Sequence, residues 1–197
     1  MGYFQKMKVK LNRGFYQDPD VVSCAKALVG KVLCTNVGGQ YTSGIITETE
    51  AYSGSNDKAS HANNGKRTKR NESMYLEGGH AYVYLCYGIH HLFNVVTAPK
   101  DQADAVLIRA IEPLEGLEIM LNRRNQKELK KDLFKGPGKV SQALGISLKE
   151  DRKDLQGESI WIEDRNINVT DDALKVSARI GIGYAGEDAL LPWRFEL

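Results

Sequence analysis

Three cysteines in 197 residues are too few and too scattered for a disulfide-stapled scaffold. Cys24, Cys34 and Cys86 fit no zinc-ligand spacing and sit in apolar surroundings, so buried free thiols in a reducing cytoplasm are expected. Histidine is scarce too: among the 4 present, His90-His91 has no partner at ligand spacing, and no metal site is expected. No apolar run is long enough to cross a membrane. Met1 to Arg13 lacks the apolar stretch of a secretory signal. Internal repeats and low-complexity linkers are missing. So is any large excess of charge: the formal net value is +2, too small to coat nucleic acid by bulk attraction. That near-balance hides a gradient. Residues 61–139 carry 13 basic and 9 acidic side chains, whereas residues 140–197 carry 7 and 11. A polyanion would therefore be met through a local face, although a solvated surface of uneven charge reads the same way.

The length suits one domain, residues 1–197, with enough apolar side chains for a true core. Asp18-Pro19 reads as an N-cap with proline at the first helical position, and Val22, Ala25, Leu28 and Val29 then share one helical face up to Gly30. Residues 32–34 and 45–52 read as strands joined through Gly38-Gly39. Strict alternation puts Ile46, Glu48 and Glu50 on one face of the second strand, which implies a wet face or a cleft. From Ser53 to Gly79 the composition is that of a loop, long enough to be functional rather than idle. Strands follow at 81–87, 92–96 and 104–111, the last stopped by Glu112-Pro113. Leu114, Leu117, Met120 and Leu121 recur at helical spacing, and Arg123 to Lys131 continues as a basic, solvated helix surface. Gly136-Pro137-Gly138-Lys139 opens another helix, either a phosphate-holding N-terminus or a plain start with proline at N1. Short strands at 159–162, 176–182 and 192–195 end the chain. Strands mixed with separate helices indicate an α+β fold rather than a regular βαβ alternation.

The chemistry gathers between residues 45 and 94. Glu50 is the candidate base, since a carboxylate can take a proton from water and make a nucleophile. Arg109, which interrupts an apolar strand, is its candidate counter-charge. On residue types alone, a structural Glu–Arg pair across a sheet is the simpler reading. Tyr52, Tyr84 and Tyr87 serve either as core aromatics or as stacking walls for a planar ring. His61 suits a base, a donor or a satisfied loop histidine. The cluster Lys66-Arg67-Thr68-Lys69-Arg70 suits phosphates or solvent.

One family places all of these in order. The chain carries Glu48-Thr49-Glu50-Ala51-Tyr52, Ala59-Ser60-His61, Thr68-Lys69-Arg70-Asn71, Tyr82-Val83-Tyr84, Tyr87-Gly88 and Asn94. The run Leu107-Ile108-Arg109-Ala110-Ile111-Glu112-Pro113-Leu114-Glu115-Gly116 follows, then Gly136-Pro137-Gly138-Lys139 and Ala178-Arg179-Ile180-Gly181-Ile182-Gly183. Collinear from about Phe15 to Phe195, these pieces resemble the alkyladenine DNA glycosylases, also called 3-methyladenine DNA glycosylases of the mammalian type. The resemblance implies a single compact α+β domain with a curved antiparallel sheet flanked by helices, and no metal or other cofactor. It implies a monomer acting on double-stranded DNA that holds a damaged purine, in the cytoplasm or, in a bacterium, at the nucleoid. No membrane partner is implied. By that resemblance Glu50 and Arg109 are catalytic, with water also held by the Ile180 carbonyl. Tyr52, His61, Tyr84 and Asn94 form the base pocket, and Tyr87 fills the gap left by the flipped nucleotide. Lys66, Arg67, Arg70 and Lys139 meet the DNA. Two departures stand out: Gly138, where the family often has serine, and His90-His91, where bulkier or aromatic residues are usual. A damaged-DNA binder without catalysis and a small-nucleoside hydrolase are the competing functions.

Overall fold

A computed structural model describes residues 8–18, 20–54 and 56–197. Along them run β1 (Val9–Lys10), α1 (Val21–Leu28), β2 (Val32–Val37), β3 (Gln40–Tyr52), β4 (Ala81–Cys86), β5 (His90–Thr97) and β6 (Asp104–Glu115). Then come α2 (Leu117–Arg123), α3 (Pro137–Leu144), β7 (Ile160–Asp164), β8 (Lys175–Ser177) and β9 (Arg194–Glu196), with short 3₁₀ turns between. The α+β expectation holds. All strand pairs are antiparallel, in the order β1-β7-β2-β3-β6-β5-β4, and the sheet does not close. The long β3 is its spine. One edge pairs with β6, while the other takes β2 over its first half and β9 over residues 48–50.

Helix α1 starts because the Asp20 side chain accepts the Val22 N–H at 3.0 Å. Asp20, not Asp18, is therefore the cap; Asp18 accepts the N–H of Asp20, and Pro19 lies outside the described residues. Val21, Cys24, Ala25 and Leu28 form its buried stripe. This stripe, together with α3, joins Leu33, Ile46, Phe93, Val95, Val106 and Ile108 in the main core. Fully burying a side chain such as Leu28 stabilises the fold by about 1.5–3 kcal/mol. Helix α3 begins with Pro137 at its first turn and ends at Gly145 in the left-handed region.

Two β-bulges correct the simple alternation. Ile46 pairs with Ile111 and Glu48 with Ala110, so Thr47 is an extra residue. Ile46 therefore faces the core, and Glu48 and Glu50 face the other side. On β6, Thr49 pairs with Ile108 and Glu48 with Ala110, so Arg109 is the extra residue opposite the glutamates. Strand β6 also runs on through Pro113 to Glu115, past its expected stop, with a further register shift beside Gly44. Helix α2 ends at Arg123, and Asn125 turns with φ 52°, so the basic tract beyond it is not helical. The expected strand at 176–182 shrinks to β8, because Arg179 turns inward and Gly181 takes φ 78°.

Gly78-Gly79 ends the long loop for a steric reason: a Cβ at Gly78 would lie 2.2 Å from the Tyr16 carbonyl oxygen. No helix among the described residues is long and apolar enough to cross a membrane.

Candidate active site

On the sheet face away from the main core lies a cavity of about 670 Å³. Alternation along β4 and β5 sends Tyr82, Tyr84, Cys86, Leu92 and Asn94 toward it, and β6 adds Leu107 and Arg109. Loop residues His61, Arg70 and Met74 close one side, Ile180, Gly181, Ile182 and Tyr184 another, and Gly136 to Lys139 the rim at α3.

Glu50 stands behind this cavity, wholly buried. Its Oε1 accepts the Ile180 N–H at 2.7 Å, and its Oε2 accepts the Tyr52 hydroxyl at 2.8 Å. Arg109 faces both oxygens, Nε at 3.3 Å from Oε1 and Nη1 at 3.4 Å from Oε2. The same Nε lies 2.9 Å from Glu48 Oε1. Burial pushes the Glu50 carboxyl above the usual range, while Arg109, the Ile180 N–H and the Tyr52 hydroxyl pull it back. Residue 180 thus also meets the glutamate itself, through its N–H, a contact the sequence did not reveal. Burial and the adjacent Glu50 drive the Tyr52 hydroxyl far up, so it stays a donor.

His61 meets the tyrosine rings edge on, and Tyr82 and Tyr84 are tilted by 32° to each other. His61 lies 4.7 Å from the Tyr84 ring centroid, and Tyr84 lies 5.3 Å from that of Tyr82. His61 Nδ1 is 2.8 Å from the Tyr82 hydroxyl. Burial first, and then Arg70 and Lys66, lower the affinity of His61 for a proton, so it is neutral at pH 7. Asn94 Nδ2 donates to the Tyr82 carbonyl at 3.1 Å, which fixes the amide at the cavity wall. Tyr82 and Tyr184, whose hydroxyl donates to the Ala59 carbonyl at 3.2 Å, belong to the site and were not singled out from the sequence. Their only signal was position: Tyr82 opens the Tyr82-Val83-Tyr84 motif, and Tyr184 directly follows the motif that ends at Gly183. Cys86 is half-buried and lines the cavity, unlike the buried thiols Cys24 and Cys34.

At the mouth, Tyr87 and Gly88 form the β4–β5 turn with φ 51° and 73°. Tyr87 is 90% exposed and Ile89 72%. A bulky residue with positive φ at an exposed tip is costly for folding alone. The two departures noted above meet here: a Cβ on Gly138 would lie 3.1 Å from the ring of His90.

The basic loop divides. Arg70 borders the cavity, with Nη2 donating to the Leu85 carbonyl at 3.1 Å. Arg67 is instead gripped by Glu72 at 2.6 Å and Asp101 at 2.7 Å, and lies over the Tyr75 ring. Lys66 anchors the loop through its carbonyl, which accepts from Tyr75 and Asn71. Lys139 borders the cavity and reaches the Asp132 carbonyl at 3.1 Å. Among the described residues no group of three or more His, Cys, Asp or Glu is placed to hold a metal ion.

A concave, aromatic-walled space with a few convergent polar groups is how enzymes hold a planar ligand. Residues 14–197 match the family model described as methylpurine-DNA glycosylase. A Chlamydia pneumoniae protein is 50% identical over 188 residues, covering 95% of this chain and 94% of its own. A Clostridium perfringens (strain 13 / Type A) protein is 44% identical over 195 residues, with 95% of each chain covered. One from Bacillus cereus (strain G9842) is 46% identical over 192 residues, with 92% of each covered. All three carry the provisional name 3-methyladenine DNA glycosylase. The chain belongs to the methylpurine-DNA glycosylase family, hydrolases of N-glycosyl bonds in DNA base excision repair.

Proposed function

We propose that this protein flips alkylated or deaminated purines from duplex DNA and hydrolyses their N-glycosidic bond with a water activated by Glu50. The observation that carries this reading is a wholly buried carboxylate, held at both oxygens, directly behind an aromatic-walled cavity with ample room for a nucleobase. Water adds to the anomeric carbon of the sugar, and its proton passes to Glu50. The bond to the purine nitrogen breaks, and its electron pair leaves with the base. Arg109 keeps Glu50 ionised and helps hold the water. A ring methylated on nitrogen is already cationic and leaves without an acid; the electron-rich faces of Tyr52 and Tyr84 favour it.

His61 and Asn94 define the edge of the base, Asn94 by opposing the exocyclic amine of guanine. Tyr87 enters the minor groove where the nucleotide has left. Its exposure and positive φ support that role, since folding alone gives no reason for either. Lys66, Arg70 and Lys139 meet phosphates; Arg67 joins them only by releasing Glu72 or Asp101. Water is the nucleophile and no amine is designated, so the product is an intact strand with an abasic site. One protein copy acts on one lesion, at the chromosomal DNA of the cytoplasm.

The test uses duplex oligonucleotides holding one N-methylated adenine, hypoxanthine or ethenoadenine, followed by alkali. Alkali-dependent breaks are expected for at least one lesion. Tight lesion binding without any break would instead indicate a damage-binding protein.

A further inference from the structure

Glu48 shares the sheet face of Glu50 but has no place in the reaction above. Its Oε1 is the point on which two arginines converge, Arg109 Nε at 2.9 Å and Arg194 Nε at 2.5 Å. Arg194 is itself fixed, with Nη1 donating to Ser177 Oγ at 3.0 Å and Nη2 to Glu196 at 2.7 Å. Strand β9 sets this up by pairing Arg194 opposite Glu50 and Glu196 opposite Glu48. From the geometry we infer that Arg194, near the chain's end, is a positioning residue: by holding Glu48 it leaves Arg109 free to be shared with Glu50.

Charge balance is the reason. Glu48 and Glu50 are both buried, and a buried carboxylate must have a partner. With Arg194 present, each glutamate has cationic contact. Without it, Glu48 has only Arg109 and draws the guanidinium off Glu50. Arg194 also acts on Glu50 directly through its charge; without it, the charged and titratable groups around Glu50 are Glu48 and Tyr52 from β3, Tyr84 from β4 and the displaced Arg109 from β6. None of the others replaces the lost cation. The carboxylate form of Glu50 is disfavoured, and excision demands a higher pH. This inference rests on Glu50 being the base.

The experiment is single-turnover excision against pH on N-methylated adenine and hypoxanthine duplexes, with duplex affinity measured alongside. Arg194→Met is expected to slow excision at pH 7 by roughly tenfold or more and to move the acid limb upward, with binding unchanged. Adding Glu48→Gln removes the competing carboxylate, so the double variant recovers most of the rate. A structural role alone predicts no such recovery. A native rate and acid limb in Arg194→Met, or a double variant no better than the single one, overturns the inference. Should Arg194→Met not fold, Glu48→Gln alone decides. It must move the acid limb downward, because Arg109 then serves Glu50 alone; an unmoved limb refutes the relay. Glu50→Gln runs in parallel. Full activity there removes Glu50 as the base, a failure separate from that of Arg194.

Discussion

Among the arginine–carboxylate sites enclosed in this fold, two are built in opposite ways. Arg179 and Asp57 pair one to one, both side chains wholly buried, with Oδ1 accepting Arg179 Nη2 at 2.9 Å. The guanidinium also donates to the carbonyls of Ala51 and Asp188, and lies 4.7 Å from the Tyr52 ring and 5.0 Å from that of Trp193. Everything this arginine touches is protein. Arg109 is instead divided between two carboxylates, longer in its contacts, and 11% exposed toward the cavity. The same residue types make a closed clamp in one place and an open, adjustable charge in the other. Whether a pair is structural or chemical is decided by what else reaches it. The clamp also serves the open site: Arg179 backs the Tyr52 ring and precedes Ile180, whose N–H holds Glu50.

The largest expected effect separates the two directly. Glu50→Gln keeps the shape and loses the base, so excision should fall by about 10²-fold or more. Asp57→Asn should lower excision per folded molecule far less than Glu50→Gln, acting only through the Tyr52 ring and Ile180 that Arg179 supports, but cost about 3–5 kcal/mol of stability by uncovering a buried cation. At about 2–4 °C per kcal/mol for a chain of this size, its melting temperature drops by roughly 10 °C. A comparable drop in Glu50→Gln would make the Glu50 site structural, as residue types alone had allowed.

The next contrast is in pH. Burial raises the Glu50 carboxyl, so the protonated form is favoured in the folded state. Its contribution to stability is present below the unfolded pKa and is lost as pH rises through the folded one. Ionised Glu50 is therefore a cost to the fold at neutral pH, and Glu50→Gln should melt no lower than the native protein at pH 7. The acid limb of excision should lie above the ~4.3 of an ordinary glutamate. A limb at or below that value would mean that Arg109, Tyr52 and Ile180 outweigh burial.

Tyr87→Ala comes third. Removing a stacking ring costs about 1–3 kcal/mol, so capture of lesion duplexes should weaken roughly 10- to 100-fold. The left-handed turn, relieved of a bulky residue, should keep or gain stability. Unchanged affinity would leave the exposed tip without a function.

Much of this contrast was legible in sequence, and some was not. Glu50, Tyr52, His61, Tyr84, Asn94 and Arg109 do converge on one cavity or its back wall, as the collinear motifs implied. The faces of β3 were misjudged because alternation assumes that every residue counts, and the extra Thr47 and Arg109 break the count. Those bulges are what turn Arg109 toward the glutamates. The Arg194–Glu48 contact spans 146 residues and Arg179–Asp57 spans 122, separations for which local periodicity carries no signal. Pro113 failed to stop its strand because an irregular register absorbed it. The short β8 has the same kind of cause, since an inward arginine outweighed strand propensity at 178–182.

The smallest effect tests the basic loop, where the same closed-against-open distinction recurs at the surface. Arg67 has two carboxylate partners besides the ring beneath it, whereas Arg70 has one carbonyl and the Tyr84 ring, no carboxylate, and faces the cavity. An arginine that meets a phosphate releases counterion on binding, so deleting it flattens the salt dependence of affinity by about one unit of slope. Arg70→Ala should do this while weakening lesion and undamaged duplexes alike. Arg67→Ala should leave the slope unchanged and alter stability by no more than about 1 kcal/mol, the usual scale for exposed pairs. Titrations of both variants across salt concentrations decide the matter. Equal slopes for the two would mean that Glu72 and Asp101 release Arg67 when DNA arrives, and that the loop rearranges on binding.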